Sequence, residues 1–256
     1  MKPSTPEIEI LAGPAELADR AAELFVSLAE QAMAARDRFC VALSGGSTPL
    51  AMYARLVQPG FKERVVWSKT HLFWGDERCV PPDHPDSNFG SAQKAFLDHV
   101  PIPIENRHRI LGELKPAQAA LAYERELSIF LEDASLPRLD LTLLGLGEDG
   151  HTASLFPGSP ALLEKARWVV AVEHQQPPPP LVDRVTLTPL VINASRFILI
   201  LVSGAGKAVR LSQVLQGPYL PKILPAQLIQ PQQGQLLWLI DQPAAASIHG
   251  AHAFTV

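Results

Sequence analysis

Short apolar runs separated by helical patterns constrain the fold of this chain more than any other feature. Residues 39–43, 141–146 and 197–202 contain almost no polar side chains. Uninterrupted runs of this length are typical of strands that are covered on both faces, as in parallel sheets. The alanine-rich segment 14–35 has the amphipathic pattern of a helix. The sequence therefore predicts a three-layer α/β protein of Rossmann type, with a mostly parallel open sheet and helices on both faces.

The remaining segments continue this alternation along the chain. Further strands are predicted at residues 7–11, 71–75, 168–172 and 236–240. Further helices are predicted at residues 50–57, 88–97, 116–131 and 208–215, and two short helices are predicted after Pro189 and Asp241. We interpret the prolines at 177–180 as a rigid loop. Residues 1–256 are predicted to form a single domain, because no linker or repeat interrupts the pattern.

Composition and charge exclude several classes of function. The chain has a net charge of -4 and no basic run, so it lacks the positive surface that nucleic-acid binding requires. It has no apolar stretch of membrane-spanning length, and residues 1–6 do not form a basic leader, so we expect a cytoplasmic protein. Cys40 and Cys79 fit neither a disulfide framework nor a metal pattern, which predicts reduced thiols and no metal site.

A glycine-rich turn after the central apolar run carries a carboxylate and an imidazole. Asp149 and His151 lie in Gly145-Leu-Gly-Glu-Asp-Gly-His151, where Gly147 and Gly150 leave room around them. Open α/β sheets bind ligands at the carboxyl ends of their strands, and an acid can orient a nearby imidazole as a general base. Two alternatives stay open. One is a dinucleotide fingerprint, which the acidic residues and the following prolines oppose, and the other is a purely structural histidine.

The motif Ser44-Gly-Gly-Ser-Thr-Pro49 follows an apolar run and precedes a predicted helix, which favours an anion site. Unpaired N–H groups at a helix start attract anions, and Gly45 and Gly46 allow the backbone to approach them. Ser47 and Thr48 add hydroxyl donors. The alternative is that one of these hydroxyls only caps the helix. No lysine follows the glycines as in nucleoside-triphosphate loops, so a sugar phosphate fits better.

Charged residues also follow other predicted strands. Asp76 and Arg78 come directly after the third strand, and Lys207 lies in a glycine turn after a fully apolar one. Arg184 begins a short segment that leads to a helix. Surface charge without a role is the alternative interpretation, but a position after a buried strand favours a site. Together these features are typical of a site for a phosphorylated small molecule.

Five motifs in this order resemble the 6-phosphogluconolactonase family and extend over nearly the whole chain. They are Ser44-Gly-Gly-Ser-Thr-Pro49, Gly75-Asp-Glu-Arg78 with Asp86-Ser-Asn88, Gly145-Leu-Gly-Glu-Asp-Gly-His-Thr-Ala-Ser-Leu-Phe-Pro157, Arg184-Val-Thr-Leu-Thr188 and Ser203-Gly-Ala-Gly-Lys-Ala208. The resemblance implies a glucosamine-6-phosphate deaminase-like fold and hydrolysis of 6-phospho-D-glucono-1,5-lactone in the oxidative pentose phosphate pathway. It implies a small-molecule lactone substrate and no metal or organic cofactor. We expect a monomer or a small homo-oligomer.

The resemblance also implies a role for each candidate site residue. His151 is expected to take a proton from the attacking water, Asp149 to hold its imidazole, and Asp76 to lie close to the sugar. Arg78 is expected to bind either the phosphate or the carbonyl oxygen. The phosphate itself is expected to contact Gly45, Gly46, Ser47, Thr48, Arg184 and Lys207.

Three other functions remain alternatives. Glucosamine-6-phosphate isomerase/deaminases resemble the chain in the Gly-Glu-Asp-Gly-His turn and the phosphate loop. They carry an acid where this chain has Phe156, and an aromatic residue where it has Arg78. A sugar-phosphate-sensing module without catalysis would be expected to lose Asp149 or His151. A dinucleotide-dependent oxidoreductase is opposed by the acidic turn.

Overall fold

The computed structural model describes residues 7–131 and 138–249, and this part of the chain contains nine strands and seven α-helices. Residues 1–6, where no leader was predicted, lie outside the described residues. The strands are β1 (Glu7–Leu11), β2 (Phe39–Leu43), β3 (Thr70–Trp74), β4 (Asp76–Arg78), β5 (Leu141–Gly145), β6 (Val169–Val172), β7 (Arg184–Leu187), β8 (Phe197–Val202) and β9 (Gln235–Asp241). The helices are α1 (Pro14–Arg36), α2 (Ser47–Leu56), α3 (Asn88–Ala95), α4 (Pro116–Phe130), α5 (Pro189–Ala194), α6 (Ala208–Gln216) and α7 (Gln242–Ala245).

Six of the strands form a parallel sheet in the order β1-β9-β8-β5-β2-β3. Each neighbouring pair in it runs parallel. Every side chain of β2 and β8 is buried. Since successive side chains point to opposite faces, these strands must be covered on both sides. The predicted α/β fold class, with a mostly parallel sheet and flanking helices, is confirmed.

Local sequence explains where helices begin and end. α1 starts at Pro14, whose fixed φ suits the first helical turn. It ends at Arg36 and is followed by its C-cap Asp37, which adopts a left-handed φ of 55°. Ser87 caps α3 by accepting a hydrogen bond from the N–H of Gly90 at 3.0 Å. None of the helices in the described ranges is long and apolar enough to cross a membrane.

A second, antiparallel sheet corrects the prediction at two places. Its order is β4-β7-β6. Asp76 and Arg78 were predicted only to follow the third strand, and Arg184 only to begin a segment that leads to a helix, yet all three belong to strands of this sheet. These strands have three and four residues and contain charged side chains, so no apolar run marks them. Their pairing with each other, not their local sequence, makes them strands.

A buried tyrosine fixes the end of β2. The hydroxyl of Tyr53, on α2, donates to the carbonyl oxygen of Ser44 at 2.8 Å and accepts from the N–H of Ser44 at 3.1 Å. Burial raises the pKa of the Tyr53 hydroxyl well above its ordinary value, so it stays protonated and keeps both bonds at neutral pH. This contact joins α2 to the strand end from which the predicted anion cradle starts.

Replacing Tyr53 by phenylalanine is expected to lower the free energy of unfolding by about 1–3 kcal/mol, because buried backbone groups of Ser44 lose their partner. Urea unfolding of the variant and the wild type measures the difference. Tyr219→Phe is the matched control, since that side chain is 60% exposed. Equal losses of stability in the two variants would contradict the assigned role of Tyr53.

Candidate active site

A cavity of about 440 Å³ lies at the carboxyl edge of the parallel sheet. The turns that follow β2, β5 and β8 form part of its wall, and β4 and β7 form another part. Nine of the ten predicted site residues line it, namely Gly45, Gly46, Ser47, Thr48, Asp76, Arg78, His151, Arg184 and Lys207. Asp149 instead lines a neighbouring cavity of about 730 Å³. The structure thus brings together residues from five separate motifs.

The imidazole of His151 and the carboxylate of Asp149 form a hydrogen-bonded pair. Nδ1 of His151 lies 2.5 Å from Oδ1 of Asp149, and the same oxygen accepts from the backbone N–H of His151 at 3.1 Å. Because a carboxylate accepts hydrogen bonds, Nδ1 carries the proton and Nε2 is left as an acceptor. The ring lines the cavity, so this acceptor is available to a ligand or to water.

Two glycines make this pair possible. A Cβ at Gly147 would lie 2.1 Å from Nδ1 of His151, so only glycine lets the ring approach the turn. Gly150 has a φ of 90°, which other residues rarely adopt. After this turn the described chain contains no α-helix before α5. A pyrophosphate would find no helix start there, so the dinucleotide-fingerprint alternative is wrong.

Burial and the histidine act in opposite directions on Asp149. Burial opposes ionisation of the carboxyl group, but the hydrogen bonds and charge of His151 outweigh it, so the pKa of Asp149 lies below its ordinary value. Asp149 is therefore a carboxylate at neutral pH. In that form it orients the ring and stabilises an imidazolium.

An aromatic wall packs beside the imidazole. The ring of Phe156 lies 4.7 Å from that of His151 and stacks on His174 at 4.0 Å, measured between centroids. Nε2 of His174 lies 2.6 Å from the carbonyl oxygen of Pro178, which lines the cavity. The guanidinium of Arg184 lies 5.8 Å from the Phe156 centroid. This wall connects the proline loop with His151 and Arg184.

The cradle after β2 differs in detail from its prediction. α2 begins at Ser47, three residues before the predicted start, and Gly46, with a φ of 98°, is its N-cap. No side chain caps this helix, so the alternative that Ser47 or Thr48 serves only as a cap is wrong. Both residues lie in the first turn, where backbone N–H groups have no partner within the helix. Ser47 and Thr48 both line the cavity.

Two arginines are paired directly across β4 and β7. Arg78 and Arg184 are opposite each other, an arrangement in which like charges destabilise a sheet. Arg184 is 4% exposed and donates to the carbonyl oxygens of Val182 at 3.0 Å and Pro180 at 2.9 Å. Burial is the main cause that lowers its pKa, and the charge of Asp76 opposes it. Two arginines paired across the strands, one of them almost fully buried, suit an anionic ligand.

Asp76 is held by two residues for which the sequence predicted no role. Its Oδ2 accepts from the hydroxyl of Ser154 at 2.6 Å, and its Oδ1 lies 3.4 Å from Nδ2 of Asn88. Asp76 is buried, as are both partners. Ser154 and Asn88 both lie inside motifs that carry the family resemblance, and this position was the only sequence signal that could have identified them.

The turn that carries Lys207 is fixed by a buried carboxylate from the next strand. Asp241, at the end of β9, accepts from the hydroxyl of Ser203 at 2.5 Å and from the N–H of Gly204 at 3.0 Å. It also caps α7 by accepting from the N–H of Ala244. The sequence placed Asp241 only before a short helix, because its contact with the turn depends on the pairing of β8 with β9.

The thiols and acids outside this cavity form no further centre in the residues described. Cys40 and Cys79 are both free, and burial raises the pKa of Cys40 to about 12 and that of Cys79 to about 11. Both are therefore neutral thiols at physiological pH. Within the same ranges, no group of three or more histidine, cysteine or acidic side chains is arranged to hold a metal ion.

Comparison with known proteins places the chain among sugar-phosphate enzymes. A family model described as glucosamine-6-phosphate isomerases/6-phosphogluconolactonase matches residues 12–238. The chain belongs to this family. A protein of Nostoc sp. named 6-phosphogluconolactonase is 40% identical over 244 residues, covering 94% of this chain and 98% of the relative. One of the same name from Synechocystis sp. is 41% identical over 246 residues, covering 95% and 98%.

Solved structures agree with this family. The structure described as 6-phosphogluconolactonase from Trypanosoma cruzi superimposes with a TM-score of 0.84 at 30% identity, covering 97% of this chain and 100% of that one. The family match at residues 12–238 extends from just before α1 into β9. The resemblance that the five motifs carried is confirmed.

Replacing His151 by alanine is expected to raise the pKa of Asp149, because burial then acts without the hydrogen bonds and charge that oppose it. An NMR titration of side-chain carboxyl carbons in wild type and variant measures the change. Glu164 is the internal control, since hydrogen bonds from the backbone N–H groups of Arg167 and Ala166 lower its pKa independently of His151. A pKa of Asp149 that stays constant or falls would contradict the pairing.

Proposed function

We propose that this protein hydrolyses 6-phospho-D-glucono-1,5-lactone to 6-phospho-D-gluconate. The observation that carries this proposal is a single cavity lined by His151 and by the three cations Arg78, Arg184 and Lys207. A base beside several cations suits an ester that carries a phosphate group. The two relatives named 6-phosphogluconolactonase, at 40% and 41% identity, support the same activity.

His151 is the proposed base. Its Nε2 accepts a proton from a water molecule whose oxygen attacks the lactone carbonyl carbon, and Asp149 stabilises the imidazolium that results. The tetrahedral intermediate then collapses with cleavage of the bond from the carbonyl carbon to the ring oxygen. The imidazolium returns its proton to that oxygen. The acid produced ionises at neutral pH, so each turnover releases one proton.

The cations and the cradle provide the rest of the proposed chemistry. The phosphate is bound by the N–H and hydroxyl donors of the Gly45–Thr48 segment together with Arg184 and Lys207. Arg78 stabilises negative charge on the phosphate or on the carbonyl oxygen, and its Nη1 is held by the carbonyl oxygen of Asp86 at 2.6 Å. Binding of the phosphate positions the lactone for attack.

Isomerisation and deamination of glucosamine 6-phosphate is the alternative, since the family description names glucosamine-6-phosphate isomerases beside 6-phosphogluconolactonase. The deaminases carry an acid at the position of Phe156, and here an apolar ring packs against His151 at 4.7 Å. This observation favours the lactonase. A cytoplasmic location, a single domain, and a monomer or small homo-oligomer remain predictions.

Proton release from freshly generated 6-phosphogluconolactone at neutral pH tests the function. The wild type is expected to exceed spontaneous hydrolysis, and His151→Ala to lose about 10²–10⁴-fold in kcat with little change in phosphate binding. His99→Ala is the control, because His99 is exposed. A wild-type rate equal to the blank would refute the proposal. Ammonia release from glucosamine 6-phosphate would then identify a deaminase, and its absence a binding module.

Replacing Lys207 by alanine is expected to raise KM about 10-fold while changing kcat little, because the lost cation contacts the phosphate in ground and transition states alike. Steady-state kinetics of proton release measures both constants. The control is Lys165→Ala, which removes an exposed cation outside the cavity. If Lys207→Ala left KM unaltered, Lys207 would not belong to the phosphate site.

A further inference from the structure

Asn88 presents an unused hydrogen-bond acceptor to the cavity. It is the first residue of α3, is 3% exposed and lines the cavity wall. Its Nδ2 donates to the backbone carbonyl oxygen of Asp76 at 2.9 Å, which fixes the orientation of the amide. No donor among the described residues bonds to its Oδ1. This oxygen can therefore accept a hydrogen bond from a ligand.

The cradle is shaped around this amide. A Cβ at Gly45 would lie 1.8 Å from Oδ1 of Asn88 and 2.5 Å from its Cγ. Gly45 does not have a positive φ, so backbone conformation is not the reason for glycine at this position. The close approach of Asn88 is the reason. The side-chain amide of Asn88 thus has its oxygen against Gly45 of the cradle and its nitrogen beside Asp76.

A buried carboxylate holds Asn88 in this position. Oε1 of Glu77 accepts from the N–H of Asn88 at 2.7 Å and from the N–H of Arg78 at 2.8 Å. Its Oε2 accepts from the N–H of Phe89 at 2.7 Å and from the hydroxyl of Ser87 at 3.1 Å. Burial raises the pKa of Glu77, and these N–H donors oppose the rise. Glu77 thereby connects β4 to the start of α3.

We propose that Asn88 determines substrate specificity by accepting a hydrogen bond from a ring hydroxyl of the sugar phosphate, and that Glu77 is its positioning residue. The inference rests on the proposed function, because it assumes a polyhydroxylated, phosphorylated ring in the cavity. Cations suit the phosphate, whereas hydroxyl groups need acceptors. Asn88 supplies a neutral acceptor beside the cradle, and Asp76 lies next to it.

Binding of 1,5-anhydroglucitol 6-phosphate tests the proposal. This compound keeps the ring, its three hydroxyls and the phosphate but has no lactone carbonyl, so calorimetry reports binding whether or not the protein turns over the lactone. Asn88→Ala is expected to weaken binding of the parent compound about 10-fold. For the wild type, one of the 2-, 3- or 4-deoxy analogues is expected to bind about 10-fold more weakly than the parent compound. That analogue is expected to have the same affinity for Asn88→Ala as for the wild type, because the hydroxyl that Asn88 would contact is already absent.

Glu77→Gln extends the test to the positioning residue. The glutamine amide places an N–H donor where backbone N–H groups need an acceptor, which disturbs the position of Asn88. Glu77→Gln is therefore expected to lose, as Asn88→Ala does, the difference in affinity between the parent compound and that deoxy analogue. Gln93→Ala removes an amide from the same helix outside the cavity and should keep it. The proposal is overturned if Asn88→Ala binds the parent and all three deoxy analogues with the same relative affinities as the wild type. Proton release from the lactone, measured on the same preparations, tests the proposed function separately.

Discussion

Parallel pairing of β2, β5 and β8 is the constraint on which the rest of the molecule depends. Neighbouring parallel strands end at the same edge of a sheet, so the turns that follow these three strands meet there. Each turn contains a glycine whose replacement by a larger residue would disturb the local structure. Gly45 admits the amide of Asn88, Gly147 admits the imidazole of His151, and Gly204 adopts a φ of 96°. The sheet brings the turns together, and the glycines allow the close approach of Asn88 and His151 and the positive φ at Gly204.

Strand pairing alone places these turns less accurately than a ligand site requires. Buried carboxylates that accept backbone N–H groups supply the finer placement. Asp241 holds the turn after β8, and Glu77 holds the start of α3 against β4. At the opposite edge, Asp140 accepts from the N–H of Cys40 at 2.9 Å and pairs with Arg36. A buried charge is costly unless it is hydrogen-bonded, and each of these carboxylates accepts at least two donors.

The sequence predicts the strands and site residues of this protein well where a local sequence pattern marks them. Short apolar runs located β2, β5 and β8, and glycine turns after them located most of the candidate site. The prediction failed where structure arises from contacts distant in sequence. β4 and β7 are strands only because they pair with each other, and the contacts of Ser154 with Asp76 join residues far apart in the chain. Asp241 and Glu77 show no pattern of their own, because their partners lie on other elements.

Repulsion between two arginines destabilises the antiparallel sheet in the free protein and favours the binding of an anion. Arg78 and Arg184 are cross-strand neighbours, and Arg184 is almost fully buried. Asp76 on the same strand as Arg78 offsets part of this repulsion, but its Oδ2 is already engaged by the hydroxyl of Ser154. An anion between the guanidinium groups would relieve the remainder and gain charge-assisted hydrogen bonds. Since a ligand that binds only the folded state stabilises it, an anion bound between the two guanidinium groups would also raise the stability of the folded protein.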